Sequence, residues 1–381
     1  MGAVNIWNAI EIADNNNSSS NENEQAVVFR SSLTVDHSLP IPDIKPHLVK
    51  LLKDLFKKWT NLDESHFFAE KVSGGITNLL LKVSVKEENG KTEHVTVRLY
   101  GPNTDYVINR ERELQAIHHL SAAGFGPKLL GVFKNGMVQS FIDARTLIPS
   151  DMSKPKLAAE IAKQLKSFHQ VEVPGSKEPQ LWDDIWKFFE RASGLTFDDP
   201  EKQKIYGQIS FKEVCDEITK LQELTGRLGA PVVFAHNDLL SGNIMLNEDK
   251  EKLYFIDFEY GSYSYRGFDI GNHFNEYAGY DCDYTLFPSK NEQYHFFRHY
   301  LNPDEPNEVS DSDLEALYVE TSCYMLASHL FWALWAVIQA KVSPIDFDYL
   351  DYFFLRYNEY KRRKNECFTL AKSYHCRPNT M

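Results

Sequence analysis

The spacing of hydrophobic and polar positions changes along the chain, and the change divides it. The first 36 residues are mostly polar, and Asp14 to Gln25 contains only Asn, Ser, Asp, Glu and Gln. Such a run buries too little apolar surface to offset the entropy of ordering it, so residues 1–36 are expected to form a disordered tail. Leu48, Leu51, Leu52, Leu55 and Phe56 follow Pro40 and Pro42 at helical spacing, predicting a helix through Trp59. Strand patterns then cover 67–73, 79–85 and 95–100, the last stopping at Gly101-Pro102. A helix is predicted over 107–122 and a hairpin over 129–142 around Asn135-Gly136.

Beyond Pro149 the period is helical, over 157–168, 182–192, 211–228 and a long segment, 312–342. Ser312 and Glu315 read as a capping box at the start of the last. One island of strand interrupts, with Ile244 to Leu246 and Leu253 to Ile256 flanking a polar turn. The pattern predicts an α+β chain: a small antiparallel-sheet lobe over 37–145, a larger helical lobe over 146–372 and a short tail over 373–381. The hinge is expected near 139–147, and no internal repeat is visible.

Charge narrows the partners. A net charge of −13 argues against nucleic acid and anionic membrane surfaces, which select clusters of Lys and Arg. It suits a cationic substrate. The five cysteines, Cys215, Cys282, Cys323, Cys367 and Cys376, are scattered and lack metal-site spacing, which fits free thiols in a reducing, cytoplasmic setting. No secretory leader is apparent, and the longest wholly apolar run, Leu330 to Ile338, is too short to span a bilayer.

The strand island carries the chemistry. His236-Asn-Asp238 precedes it, Asn243 opens its first strand, and Asp257 ends its second. If Leu246 pairs with Leu253, Asn243 and Asp257 converge at the open end of one hairpin, where an amide and a carboxylate can hold Mg²⁺. Asp238 can then meet a hydroxyl nucleophile, which is the division of labour in kinase-type phosphoryl transfer. Singly, each of these is an ordinary turn residue; the spacing of the three together favours catalysis. In the small lobe, Ser73-Gly74-Gly75-Ile76-Thr77-Asn78 lies between two strands and can cover the phosphates of ATP with backbone N–H groups. Arg98 occupies a strand position suited to a phosphate clamp, and Glu113, on a helix stripe with Ile117 and Leu120, is its expected partner, with Glu111 the runner-up.

These motifs, with Ile256-Asp257-Phe258-Glu259-Tyr260 and Arg266-Gly267-Phe268-Asp269, resemble the choline/ethanolamine kinases. Asn275-Glu276-Tyr277-Ala278-Gly279 looks more like the ethanolamine kinases, since choline kinases usually carry Cys-Glu-Trp there. The resemblance implies a protein-kinase-like bilobal fold that phosphorylates ethanolamine from ATP and Mg²⁺. Carried over, Asp238 is the base, Asn243 and Asp257 hold the metal, and Arg98 with Glu113 clamps the phosphates. Glu276 lies near the ammonium, and Trp332, Trp335 and Tyr352 line the amine pocket; Glu259 is a candidate contact to a second metal.

His329, Trp332 and Trp335 share one face of the long helix. Such a stripe is more often core packing, yet an aromatic wall beside a carboxylate is what an alkylammonium needs. Asp269 reads most simply as the cap of a helix starting near Ile270, and its side chain can also brace the catalytic loop. The resemblance allows a homodimer without marking an interface. The rival functions are choline kinase, a dual kinase, and a catalytically silent nucleotide-binding regulator. A protein kinase fits less well, because nothing resembles an Ala-Pro-Glu segment.

Overall fold

The computed structural model describes residues 28–72 and 78–375. Contacts divide the chain into two compact units, meeting between Ala144 and Arg145.

The first unit is built on a six-stranded sheet in the order β1-β5-β6-β4-β3-β2. Its strands are β1 (Phe29–Ser31), β2 (Phe67–Lys71), β3 (Asn78–Lys86), β4 (Thr92–Tyr100), β5 (Leu129–Phe133) and β6 (Gly136–Ser140). Helix α1 (Ile41–Leu55) carries Pro42 in its first turn, where a missing N–H costs nothing. It packs Ile44, Leu48, Leu51, Leu52 and Leu55 onto Leu81, Val83, Val95, Val97 and Leu99 of the sheet. Helix α2 (Arg110–Ala122) starts later than the pattern predicts, because Asn109 caps it by accepting the Arg112 N–H.

The fold also begins earlier than residue 37. Strand β1 pairs in parallel with β5, Phe29 opposite Gly131. Asn135 then holds Val35, accepting its N–H at 3.1 Å and donating to its carbonyl at 2.7 Å. Val35 is fully buried as a result. The strand is three residues long and two of its side chains are exposed, so no alternation of apolar and polar positions marks it in the sequence.

The second unit opens with β7 (Arg145–Thr146), α3 (Pro149–Met152), α4 (Pro155–Phe168), α5 (Leu181–Ser193), α6 (Pro200–Tyr206) and α7 (Phe211–Gly226). Strands β8 (Val232–Ala235), β9 (Ile244–Asn247), β10 (Lys252–Phe255) and β11 (Ser262–Tyr265) follow. Helices α8 (Arg266–Asn275), α9 (Lys290–Leu301), α10 (Asp311–Val342) and α11 (Tyr349–His375) complete it. The small sheets run β10-β9-β7 and β11-β8.

Helix α10 is the axis of this unit. Its length and composition would let it cross a membrane, but its apolar window is wholly buried inside the protein. It packs against α11, α8, α5 and α7. Its cap is Ser310, which accepts the Asp313 N–H, rather than Ser312. At Gly271 of α8 an added Cβ would lie 2.8 Å from the Met325 backbone nitrogen, so glycine lets α8 close onto α10. Helix α11 continues to His375, past the expected start of a C-terminal tail at 373.

Candidate active site

Strand β8 delivers the chain into the His236–Leu240 loop, and a single turn over Ser241–Asn243 returns it to β9. In the β9–β10 hairpin Leu246 stands opposite Leu253, the register read from the sequence. The Ile256 N–H donates to the Asn243 carbonyl at 3.0 Å, which sets Asn243 beside Asp257. Asn237 and Asp257 both have φ of +64°, a left-handed geometry that Asn and Asp tolerate better than most side chains.

Hydrogen bonds fix the loop from inside. Asn243 Nδ2 donates to the Asp238 carbonyl at 2.8 Å and to its Oδ2 at 3.0 Å. His236 Nδ1 accepts the Asp238 N–H at 3.3 Å, which leaves Nε2–H to donate to the Ile256 carbonyl at 2.9 Å. One neutral imidazole thus spans from the His236–Leu240 loop to the strand before Asp257. Burial holds that ring below its ordinary pKa, outweighing the pull of Asp269.

Helix α8 braces the same loop with three side chains spaced to share one helical face. Asp269 accepts the N–H groups of His236 and Asn237 at 2.7 and 2.8 Å, and His169 Nε2 lies 2.8 Å from its Oδ2. Burial pushes this carboxyl upward, but its interactions with His169 prevail and hold it below the usual range. Asn272 Nδ2 donates to the Asn237 carbonyl at 3.2 Å, and His273 Nδ1 to that of Leu239 at 2.8 Å. Asp269 is therefore no cap. The helix starts at Arg266 after Tyr265, and the carboxylate serves the loop.

Four carboxylates gather in this region. Burial raises the Asp238 carboxyl well above its ordinary value, and the charges of Glu276, Asp257 and Glu259 add to the rise. An oxygen of Asp257 and one of Glu259 lie within 4.8 Å of each other. Asn243 spends its Nδ2 on the bonds to Asp238, which leaves Oδ1 as the atom that can ligate a metal. These are hard oxygen ligands of the kind Mg²⁺ takes, and the gathered negative charge favours a cation. The residues present fit the ion.

Beside the carboxylates stands a set of aromatic rings. Trp332 Nε1 donates to Asn272 Oδ1 at 2.7 Å, and Trp335 Nε1 to the Tyr260 hydroxyl at 2.8 Å. Edge contacts join Tyr260 to Trp332 at 5.1 Å, Trp332 to Trp335 at 5.4 Å and Trp335 to Tyr349 at 5.7 Å. The Tyr260 hydroxyl is raised well above its usual pKa by burial, then by Glu259 and Asp238, which puts this ring beside the acids. Tyr352 packs on Phe347 at 5.7 Å. His329, on the same stripe, is buried with no partner for either ring nitrogen among the described residues; it stays neutral against the edge of Tyr284.

Glu276 has a partner that the sequence did not suggest. Arg356 Nη1 donates to its Oε1 at 2.8 Å, and both side chains are buried. The signal was hidden because Arg356 lies 80 residues further on, in a helix whose neighbouring Arg and Lys residues look solvated. Tyr260 and Tyr349 were missed as well, though Tyr260 sits inside a motif that was noticed.

In the sheet unit, Arg98 Nη2 stands 3.3 Å from Glu113 Oε1, both buried, while Glu111 points outward. Arg110, also missed, contacts the other oxygen of Glu113 at 2.7 Å, lies over the Tyr100 ring and reaches Asn78 Oδ1 at 3.4 Å. Its place three residues before Glu113 on a helix is the signal that could have found it. Of the expected phosphate loop, Ser73, Gly74, Gly75 and Thr77 lie outside the described residues, and Asn78 begins β3.

The comparisons with known proteins agree with this architecture. A family model described as choline/ethanolamine kinase matches residues 69–361. The chain is 65% identical to a probable ethanolamine kinase of Arabidopsis thaliana over 98% of its own length and 99% of the relative's. It is 34% identical to a probable choline kinase of the same plant, over 87% of this chain and 98% of that one. Among solved structures, the ethanolamine kinase of Plasmodium vivax superposes with a TM-score of 0.72 at 32% identity, covering 88% of this chain and 98% of that one. A loop, hairpin and bracing helix of this form, inside a family match that runs from β2 into α11, have one reading: the chain belongs to the choline/ethanolamine kinase family.

Proposed function

We propose that the protein transfers the γ-phosphoryl group of ATP to the hydroxyl of ethanolamine, giving phosphoethanolamine. This is the entry step of the CDP-ethanolamine route to phosphatidylethanolamine. The observation that carries the choice of amine is the setting of Glu276, flanked by Asn275 and Tyr277 where choline kinases carry Cys and Trp: Arg356 occupies Oε1, and among the described residues Oε2 has no hydrogen-bond partner. A primary ammonium has N–H groups to give to that oxygen, whereas the quaternary nitrogen of choline has none. The greater likeness to the plant ethanolamine kinase than to the choline kinase of the same plant supports the same choice. The faces of Trp332, Trp335 and Tyr352 suit the rest of the cation.

Asp238 is the base. With its Oδ2 held by Asn243, Oδ1 is the oxygen left to take the substrate hydroxyl hydrogen. As the oxygen–phosphorus bond forms, the bond to the departing ADP breaks and the proton passes to Asp238. Asn243 and Asp257 would hold Mg²⁺, which when bound offsets phosphate charge. Arg98, set by Glu113, would clamp the α- and β-phosphates, with the 73–78 loop over them. The free thiols of Cys215, Cys282, Cys323 and Cys367 fit an enzyme of the cytoplasm.

Coupled ADP release tests this, comparing ethanolamine, choline and no acceptor. Strong turnover with ethanolamine and little with choline is expected. A choline preference would overturn the choice of amine. Nucleotide binding without turnover of either would bring forward the silent regulator.

A further inference from the structure

Arg356 does more than neutralise Glu276. It is almost wholly buried on α11, and its two terminal nitrogens diverge. Nη1 donates to Glu276 Oε1 at 2.8 Å and to the Tyr352 hydroxyl at 3.2 Å, while Nη2 donates to Ser328 Oγ at 2.9 Å.

Ser328 is a fully used junction. Its oxygen accepts from Arg356 Nη2 and from Asn275 Nδ2, and its own hydrogen goes to Asn272 Oδ1 at 2.8 Å. A hydroxyl has one hydrogen and two lone pairs, so nothing is left over. Asn272 is used on both ends as well. Its Oδ1 also accepts Trp332 Nε1, and its Nδ2 donates to the Asn237 carbonyl beside Asp238. One unbroken chain of buried hydrogen bonds therefore runs from Glu276 to the catalytic loop, with a branch to an aromatic wall residue.

We propose that Arg356 is a positioning residue for the amine: it holds one oxygen of Glu276, turns the other toward an N–H donor, and ties that carboxylate through Ser328 and Asn272 to the loop bearing Asp238. The inference rests on the reading of Glu276 as the ammonium partner. Its physical basis is the fork of the guanidinium, which serves two acceptors in fixed directions at once. A lysine ammonium keeps the charge without that geometry. Burial works against the charge on Arg356, but the surrounding tyrosines and Glu276 outweigh it and hold its pKa above the ordinary value.

The test is steady-state kinetics on the full chain, with KM for ethanolamine, choline and ATP measured separately. In Arg356→Met the ethanolamine KM is expected to rise about tenfold or more, with ATP KM within about twofold, since tenfold corresponds to one buried charged hydrogen bond. Choline gives no N–H to Glu276, so its KM moves less and the ethanolamine-to-choline ratio of kcat/KM falls. Arg356→Lys restores part of the ethanolamine KM. Ser328→Ala keeps the Arg356–Glu276 pair but cuts its tie to Asn272, so kcat should fall about fivefold while the ethanolamine KM moves less than about twofold.

An unchanged ethanolamine KM in Arg356→Met overturns the proposal, as do parallel rises for ethanolamine and ATP, which would indicate general loosening. Should Arg356→Met fail to fold, Arg356→Lys is read in its place: a raised ethanolamine KM beside an unchanged ATP KM is expected, and an unchanged ethanolamine KM overturns the proposal. Glu276→Gln separates the two readings. If it leaves the ethanolamine KM unchanged, the assignment of Glu276 itself fails; if it raises KM and the Arg356 variants do not, only the role of Arg356 is lost.

Discussion

At the scale of single residues, the site divides into groups that touch the substrate and groups that hold them. Asp238 and Asp257 belong to the first by the chemistry proposed for them, and neither carries a packing load: Asp257 is half-buried, and Asp238 bonds mainly to Asn243 and His236. Asp238→Ala and Asp257→Ala are each expected to lower kcat about a thousandfold, within the range for a lost general base or metal ligand, while the melting temperature holds. Near-normal rates in a well-folded variant would remove that residue from the mechanism. The residues proposed to react were legible because their spacing is local, within one loop and one hairpin. Arg356 was not, since nothing near it in the chain distinguishes a buried guanidinium from the solvated ones beside it.

At the scale of elements, α8 shows how a helix can be recognised and its purpose misread. Asp269, Asn272 and His273 look like a cap and two polar neighbours, yet each is spent on the backbone of the His236–Leu240 loop, 32 to 35 residues upstream. That dependence predicts a pH effect on stability. His273 is completely buried against Tyr277 and Phe296, its Nε2 has no partner among the described residues, and burial lowers its pKa to about 4 from 6.5. Below pH 6.5 the unfolded chain binds a proton that the folded ring refuses, so the stabilisation is complete above pH 6.5 and is lost as the pH falls toward 4. Between pH 7 and pH 5 this one group should cost about 2 kcal/mol. Urea unfolding at the two pH values measures it. His273→Gln, which still donates to Leu239 but does not titrate, should show a smaller loss; an identical pH dependence in the variant would locate the effect elsewhere.

At the scale of the whole molecule, the broad order was visible in the pattern, sheet first and helices after with the β9–β10 hairpin among them, while the short strands β7, β8 and β11 were not. Long runs of one period survive as long runs of structure, which is why α10 and the β3–β4 pair stand where expected. The beginning of the fold was not visible, because β1 is short, mostly exposed and completed by a strand a hundred residues later. Its contribution lies in backbone pairing with β5, the Ser31 bond to Asp54 at 2.5 Å, the clasp of Asn135 on Val35 and the burial of Val35 itself. A chain starting at residue 37 would leave the β5 edge and the Asn135 side chain without these partners. Burying one valine contributes about 1.5–3 kcal/mol, and each lost hydrogen bond roughly 1 kcal/mol more. Such a truncation should therefore lower the melting temperature by several degrees relative to the full chain and expose a strand edge prone to pairing with other molecules. Light scattering alongside the thermal melt distinguishes the two effects. A truncated chain that melts like the full one, without association, would mean that β1 is held by the sheet but does not hold it.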